Sequence, residues 1–250
     1  MMLLLVLSLC CIIEHSFGYN LETELPVIRR GDAGSYFGFS VASHSFEAFD
    51  TKQNQSWLLV GAPKANNTAV PQLANPGVVY KCDFSKDPQC LEVAFDTKGN
   101  RNGDQKDNSW FGVSVMSSGH DGYVMACSHR LLHVEGSFFT YPGRCIGAAD
   151  LEGRFKRDIY DFCETKNQNK ANAGGTDTIN YKDHMYCQMG LSVSYLKSDR
   201  VPLIGAPGVY NYQGEFIYYS RDQKEVARNN SELGYQVVQE ATELVSHTLY

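Results

Sequence analysis

Short apolar runs that end at turn residues recur along the chain. The runs at 58–60 and 203–204 are each followed by Gly-Ala-Pro. Runs of this length are typical of inner strands covered on both faces, and proline ends them because it cannot donate to a strand ladder. Residues 77–80 and 214–219 fit the next strands of the same sheets, each entered through a turn glycine. The pattern predicts an all-β protein.

A longer repeat contains these runs. Phe37-Gly38, Phe111-Gly112 and Met189-Gly190 each precede a strand-like segment, and the three glycines lie 74 and 78 residues apart. The copies are imperfect, because the second lacks Gly-Ala-Pro and the third has Met in place of Phe. An aromatic-Gly corner before one strand and Gly-Ala-Pro after the next predict β-propeller blades, which pack against one another to bury their faces. Such a fold favours a binding platform over a catalytic pocket.

Two segments depart from the strand pattern. Residues 164–186 are polar and rich in Asn, Asp and Gly, which predicts a long loop between the second and third repeats. Residues 231–245 are the best helical candidate.

The N-terminal segment 1–18 has the features of a secretory signal peptide. Its apolar run, 3–13, is shorter than the about 20 residues of a membrane span. Ser16 and Gly18 place small residues at a cleavage site before Tyr19. A buried N-terminal helix is the alternative, because no Lys or Arg precedes the apolar run. We expect a secreted chain, unless a membrane-bearing part lies outside this sequence.

Cysteine usage favours the same compartment. Two of the eight cysteines lie in the predicted signal peptide, and six remain. An even count behind a signal peptide indicates disulfides, and six cysteines allow fifteen pairings. Zinc is the alternative, but its ligand spacing is missing. Nearest-neighbour pairing is the simplest, since each pair then lies within or beside one repeat: Cys82–Cys90, Cys127–Cys145 and Cys163–Cys187.

Glycosylation motifs and the distribution of charge limit the classes of partner that the surface can bind. Three sequons begin at Asn54, Asn66 and Asn229, which fits a glycosylated surface. The net charge of −6 is spread along the chain and leaves no basic patch for nucleic acid.

The sequence lacks recognisable catalytic motifs. Residues 190–194 come closest to a nucleophile elbow but end in Ser instead of Gly. His129 and His133 are four residues apart, which on a strand separates them by about 13 Å, too far for one metal ion. We therefore predict no catalytic residue, no metal ligand and no cofactor in this chain.

Several motifs agree in order and spacing with one family. Gly-Ser-Tyr-Phe-Gly-Phe-Ser-Val at 34–41, Leu-Val-Gly-Ala-Pro-Lys-Ala-Asn at 59–66 and the Trp-Phe-Gly corner at 110–112 resemble the N-terminal part of integrin α subunits. The resemblance implies part of a propeller that has seven blades in the family. It implies a signal peptide at 1–18, blades within 19–235 (repeats at about 34–90, 108–162 and 187–228, a fourth beginning at 233) and a divergent tail at 236–250.

The resemblance implies a cell-adhesion receptor chain that pairs with an integrin β subunit and binds extracellular-matrix ligands. Calcium, which the family binds in later blades, is not expected here. The family's head holds a basic residue of the β subunit in an aromatic cage; the matching positions are Tyr36, Phe39, Trp110, Leu191 and Tyr235. The residues that resemble the family's ligand contacts are Asp177, Asp183, Tyr210, Asn211 and Tyr212.

Location follows from the same resemblance. The chain is expected in the secretory pathway, at the cell surface through a membrane-anchored later part or secreted without one. Two alternatives stay open: a secreted carbohydrate-binding propeller, and a glycan-anchor phospholipase that carries the same repeats. The enzyme would need a metal-binding catalytic domain ahead of the propeller, whereas only the predicted signal peptide precedes Tyr19.

Overall fold

The structure is a computed structural model, and it describes residues 27–47, 52–84, 90–136, 138–149, 151, 157–164, 184–196, 201–219 and 225–226. Several predicted features lie outside these residues: the signal peptide, the helical candidate at 231–245, the tail at 236–250, Asp177, Asp183, Asn229 and Tyr235.

The described chain forms three four-stranded antiparallel sheets, here called blades one to three. Blade one contains β1 (Ser40–Glu47), β2 (Asn54–Ala62), β3 (Val78–Asp83) and β4 (Cys90–Glu92). Blade two contains β6 (Ser114–Ser117), β7 (Val124–Ser128), β10 (Arg144–Ala148) and β11 (Arg157–Tyr160). Blade three contains β12 (Ser192–Leu196), β13 (Val201–Ala206), β14 (Glu215–Tyr219) and β15 (Glu225–Val226). The predicted all-β, partial-propeller fold is therefore confirmed.

A smaller sheet, which the sequence did not predict, interrupts blade two. It contains β5 (Asp104–Gln105), β8 (Leu132–Glu135) and β9 (Phe138–Thr140), and the β8–β9 hairpin lies between β7 and β10 in the chain. A four-residue turn, Val209–Tyr212, connects β13 to β14, and its backbone is not that of a right-handed helix. Among the described residues, no helix has the length and apolar character needed to cross a membrane.

The core lies between the blades. One cluster joins blades one and two and includes Leu59, Val79, Val115, Ala126 and Ile146. A second joins blades two and three and includes Met125, Phe162, Met189, Ile204 and Ile217. Inner strands are therefore covered on both faces, which explains the continuous apolar runs in the sequence.

The three repeats share one corner conformation. In each, two residues have positive φ: the corner glycine and the residue two positions before it. The values are 58° and 89° at Tyr36 and Gly38, 62° and 86° at Trp110 and Gly112, and 51° and 92° at Gln188 and Gly190. Residues that carry a Cβ seldom adopt this left-handed backbone region, so the corner turns the chain sharply at a fixed point.

Neighbouring blades are joined at these corners. The Ser40 hydroxyl donates to the carbonyl of Gly112 at 2.8 Å, and the Ser114 hydroxyl donates to the carbonyl of Gly190 at 2.7 Å. Gly77 of blade one lies so close to the next corner that a Cβ there would meet the Phe111 carbonyl oxygen at 2.2 Å. A joint between blades therefore combines a hydrogen bond from a serine hydroxyl with a close contact between two backbone segments.

The second repeat keeps the joint despite lacking Gly-Ala-Pro. Ser114 pairs with Cys127 in the same register that pairs Ser40 with Gly61 and Ser192 with Gly205. Cys-Ser-His at 127–129 therefore replaces Gly-Ala-Pro. Cys127 is bonded to Cys145 on the adjacent strand β10, and that disulfide packs against the corner at Gly190.

The structure joins the six cysteines in the nearest-neighbour pairs favoured by the sequence. Cys82–Cys90 links β3 to β4, and Cys127–Cys145 links β7 to β10. Cys163–Cys187 links the two ends of the segment that contains the predicted loop. Asn54 and Asn66, the two sequon residues within the described chain, are exposed.

Candidate functional site

Three aromatic side chains from the first two corners form a cluster at the protein surface. Tyr36 and Phe39 stack with their ring centroids 6.4 Å apart, and Trp110 meets them edge-on at 5.9 and 5.8 Å. Tyr36 and Phe39 are about half exposed. We call these three residues the aromatic cluster. Aromatic groups left at the surface in mutual contact are typical of recognition sites.

Two cations of the same chain lie on the aromatic cluster. The Lys64 ammonium is 4.6 Å from the Tyr36 ring centroid and 5.7 Å from that of Trp110. The Arg130 guanidinium is 5.3 Å from the Trp110 centroid. A cation at these distances is attracted by the ring's quadrupole. The sequence did not predict these occupants.

His129 closes the inner side of the aromatic cluster. Its ring meets Trp110 edge-on at 5.8 Å. Burial lowers the pKa of His129 to about 4, and the adjacent Arg130 adds to this effect. A neutral imidazole therefore stands behind Trp110 at neutral pH.

Leu191 occupies the corner position in blade three that Phe39 occupies in blade one. It directly follows Gly190 and is about half exposed. Of the five predicted interface residues, three make ring contacts with one another: Tyr36, Phe39 and Trp110. Leu191 has no ring, and Tyr235 lies outside the described residues.

The predicted ligand residues of blade three lie on a left-handed turn. Tyr210, Asn211 and Tyr212 have φ of 51°, 60° and 67° in succession. Three consecutive side-chain-bearing residues in this region are costly, and such strain is concentrated at functional sites. Tyr212 is 66% exposed, so its ring is available to a partner.

This turn rests on the Cys163–Cys187 stem. The amide of Gly208 donates to the carbonyl of Cys187 at 3.0 Å, and the Tyr210 ring meets His184 at 5.6 Å. His184 in turn lies 3.6 Å from the carboxylate of Glu215, a side chain that is almost fully buried. These contacts fix the position of the turn against the Cys163–Cys187 stem.

A second polar site lies inside the molecule and was not predicted. Asp104, His133, Arg144 and Glu164 come from β5, β8, β10 and the segment after β11, and we call them the ionic cluster. Arg144 donates from both terminal nitrogens to Asp104, at 2.6 and 3.1 Å, and also to Glu164. Each of the four side chains is at least 86% buried. Two carboxylates here share one guanidinium.

His133 completes the ionic cluster. Its Nδ1 lies 3.3 Å from Asp104 and 3.8 Å from Glu164. The hydrogen bond to Asp104 raises the pKa of His133, and the charge of Glu164 adds to that effect against the opposing effect of burial. Burial would raise the pKa of Asp104, but its hydrogen bonds with His133 and Arg144 outweigh burial and lower that pKa.

Asp104, His133 and Glu164 also have the composition of a metal site. One donor atom from each lies within 4.8 Å of the others. Arg144, however, bridges the two carboxylates, so the chain itself supplies the positive charge that a metal would bring. The cluster therefore acts as an internal ion network that binds the small sheet to blade two.

Fold and surface together define a class: a repeat-built partial propeller with a cluster of aromatic side chains at its surface. No family model matches the chain. The chain is 31% identical to integrin alpha-7 of Rattus norvegicus over 223 residues, 86% of this chain and 18% of that protein. It is 33% identical to integrin alpha-V of Gallus gallus over 219 residues, 84% of this chain and 19% of that protein.

Integrin alpha-5 of Xenopus laevis is 32% identical over 236 residues, 88% of this chain and 20% of that protein. The chain thus spans about a fifth of the length of the curated relatives it matches. It belongs to the integrin alpha-subunit family.

Proposed function

We propose that this chain is the pairing and ligand-recognition part of a cell-adhesion receptor. In this proposal it joins an integrin β subunit, binds an extracellular-matrix protein, performs no catalysis and reaches the cell surface through the secretory pathway within a longer receptor. The observation that supports pairing most directly is the aromatic cluster. Its rings are held by two left-handed corners and remain partly open to solvent. A basic side chain from the partner would bind these rings by cation–π attraction.

The pairing test removes one ring at a time. In a chimera of chicken integrin alpha-V, this chain replaces the matched region, and capture of a co-expressed β subunit is measured. Phe39→Ala or Trp110→Ala should weaken capture by about 2 kcal/mol or more, about thirtyfold in affinity. Phe139→Ala is the matched control, because Phe139 is 59% exposed, against 53% for Phe39, and lies on β9. Equal capture by the Phe39 and Phe139 variants would contradict the proposal.

Ligand recognition is assigned to the turn at Tyr210–Tyr212. Asp177 and Asp183, which lie outside the described residues, are proposed to contribute from the neighbouring segment. Tyr212→Ala should reduce adhesion of chimera-bearing cells to matrix proteins while β-subunit capture stays unchanged. Tyr123→Ala is the control, because Tyr123 is an exposed tyrosine that precedes β7 in blade two. Loss of pairing in the Tyr212 variant would show that the turn is not a separate ligand site.

A further inference from the structure

We infer that Lys64 is an internal occupant of the aromatic cluster, which the basic group of a partner must displace in order to bind. The inference rests on the proposed pairing function and adds a form of regulation to it. In the unpaired chain, the Lys64 ammonium is shared between Tyr36 and Trp110 and lies 3.4 Å from the Tyr36 hydroxyl. A partner cation that sought the same ring faces would meet this charge first.

Backbone contacts fix the position of Lys64. The residue directly follows Gly-Ala-Pro, and its amide donates to the carbonyl of Ser35 at 3.0 Å. Ser35 immediately precedes Tyr36, so the same hydrogen bond aligns the ring and the cation. The side chain is half-buried, so its reach is restricted to the neighbourhood of the cluster.

The repeat places a second cation in the same way. Arg130 follows Cys-Ser-His as Lys64 follows Gly-Ala-Pro, and it lies over Trp110, the corner aromatic of its own blade. In blade three the equivalent positions hold Gly208 and Gln188, which form no such pair. Two of the three rings therefore have a cation of the chain itself over them, whereas Phe39 has none among the described residues.

Repulsion between like charges limits how a partner cation can reach the rings. A third cation beside Lys64 and Arg130 is repelled, so it gains the ring faces only as one of the internal cations leaves. A lysine on a partly exposed ring is weakly held, whereas a partner cation enclosed by an interface is held more strongly. Lys64 thus lowers the affinity for the partner without blocking it. Its removal should raise that affinity about two- to fivefold.

The test uses the whole chain in two measurements. The first is the affinity of the chain for the soluble ectodomain of an integrin β subunit. The second is the quenching of Trp110 fluorescence by arginine methyl ester, a small guanidinium probe, with Trp57→Phe present so that only Trp110 reports. Lys64→Met should strengthen both by about two- to fivefold, and Lys64→Arg, which keeps the charge, should match the unmodified chain.

Lys81→Met is the matched control. Lys81 lies 4.7 Å over Trp57, the other tryptophan of the chain, and belongs to β3 instead of the aromatic cluster. It should change neither measurement. If Lys64→Met weakens β-subunit capture or leaves both measurements unchanged, the inference is wrong. Failure of the pairing proposal looks different, because Phe39→Ala would then leave capture intact while the ester titration still reports on Lys64.

Discussion

The aromatic cluster and the ionic cluster hold cations in opposite environments. Lys64 and Arg130 lie on ring faces at the surface, where water can replace either partner. Arg144 lies between two buried carboxylates, where water cannot replace them. Removal of one partner from a buried ion group leaves an uncompensated charge, whereas an exposed pair contributes little to stability. Burial therefore decides whether a cation can be displaced by a partner or instead stabilises the fold.

Two histidines four residues apart show the same division. His129 lies behind Trp110, and burial holds its pKa at about 4, so it is neutral. His133 lies between Asp104 and Glu164, and its hydrogen bond to Asp104 raises its pKa. Sequence spacing alone could not separate them, because the chain leaves blade two for the small sheet between these residues.

The largest expected effect separates the two cation sites. Arg144→Met should lower the free energy of unfolding by about 3–5 kcal/mol, because Asp104 and Glu164 would remain buried without their guanidinium. Lys64→Met should change it by no more than about 0.5 kcal/mol. Urea denaturation of both variants at pH 7 measures the difference. Equal destabilisation would mean that burial does not distinguish the clusters.

The second prediction concerns the stem that carries Glu164 into the ionic cluster. Cys163 directly precedes Glu164, and its disulfide joins it to Cys187, 24 positions further along the chain. Replacing both cysteines by Ala should lower the free energy of unfolding by about 3 kcal/mol in the chain-entropy model. Thermal melts of the oxidised chain and the double variant provide the measurement. A change below about 1 kcal/mol would show that the ion network alone fixes this stem.

The third prediction is a pair of opposed pH dependences. Because the pKa of His133 is raised on folding, its stabilisation is complete below about 6.5, the ordinary value, and is lost as pH rises through the folded pKa. Because the pKa of His129 is lowered to about 4, its contribution is complete above about 6.5 and is lost as pH falls towards 4.

Chemical denaturation between pH 4 and 9 can separate the two histidines. His133→Gln should flatten the loss of stability on the alkaline side, and His129→Gln should flatten the loss on the acidic side. If both variants change the same side of the profile, the two histidines do not occupy opposite environments.

The parts of the fold carried by local pattern were predictable. Gly38, Gly112 and Gly190 marked the three corners because only a short motif is needed for a left-handed turn, and the apolar runs marked the inner strands. The contacts between neighbouring blades could not be predicted in the same way, because they join residues that are far apart in the sequence. Cys127 replaces the glycine of the repeat, so the second copy is imperfect in sequence, although Cys127 occupies the same register position and adds a disulfide.

The candidate sites divide along the same line. Tyr36, Phe39 and Trp110 were found through family motifs, and the structure brings their rings together. Lys64 belongs to the family motif at 59–66, but its position over two rings depends on the packing of blade one against blade two. The ionic cluster had no local signal, because Asp104, His133 and Arg144 meet only when the small sheet folds onto blade two.

The serine joint between blades has a consequence for how such chains lengthen. Blade two carries both halves of the joint, the Ser114 hydroxyl donor at the start of its first strand and the Gly112 carbonyl acceptor at its own corner. A tandem duplication of one unit would therefore arrive with a compatible neighbour on either side. Residues away from the joint are then free to diverge, as the exchange of Gly-Ala-Pro for Cys-Ser-His in the second copy illustrates.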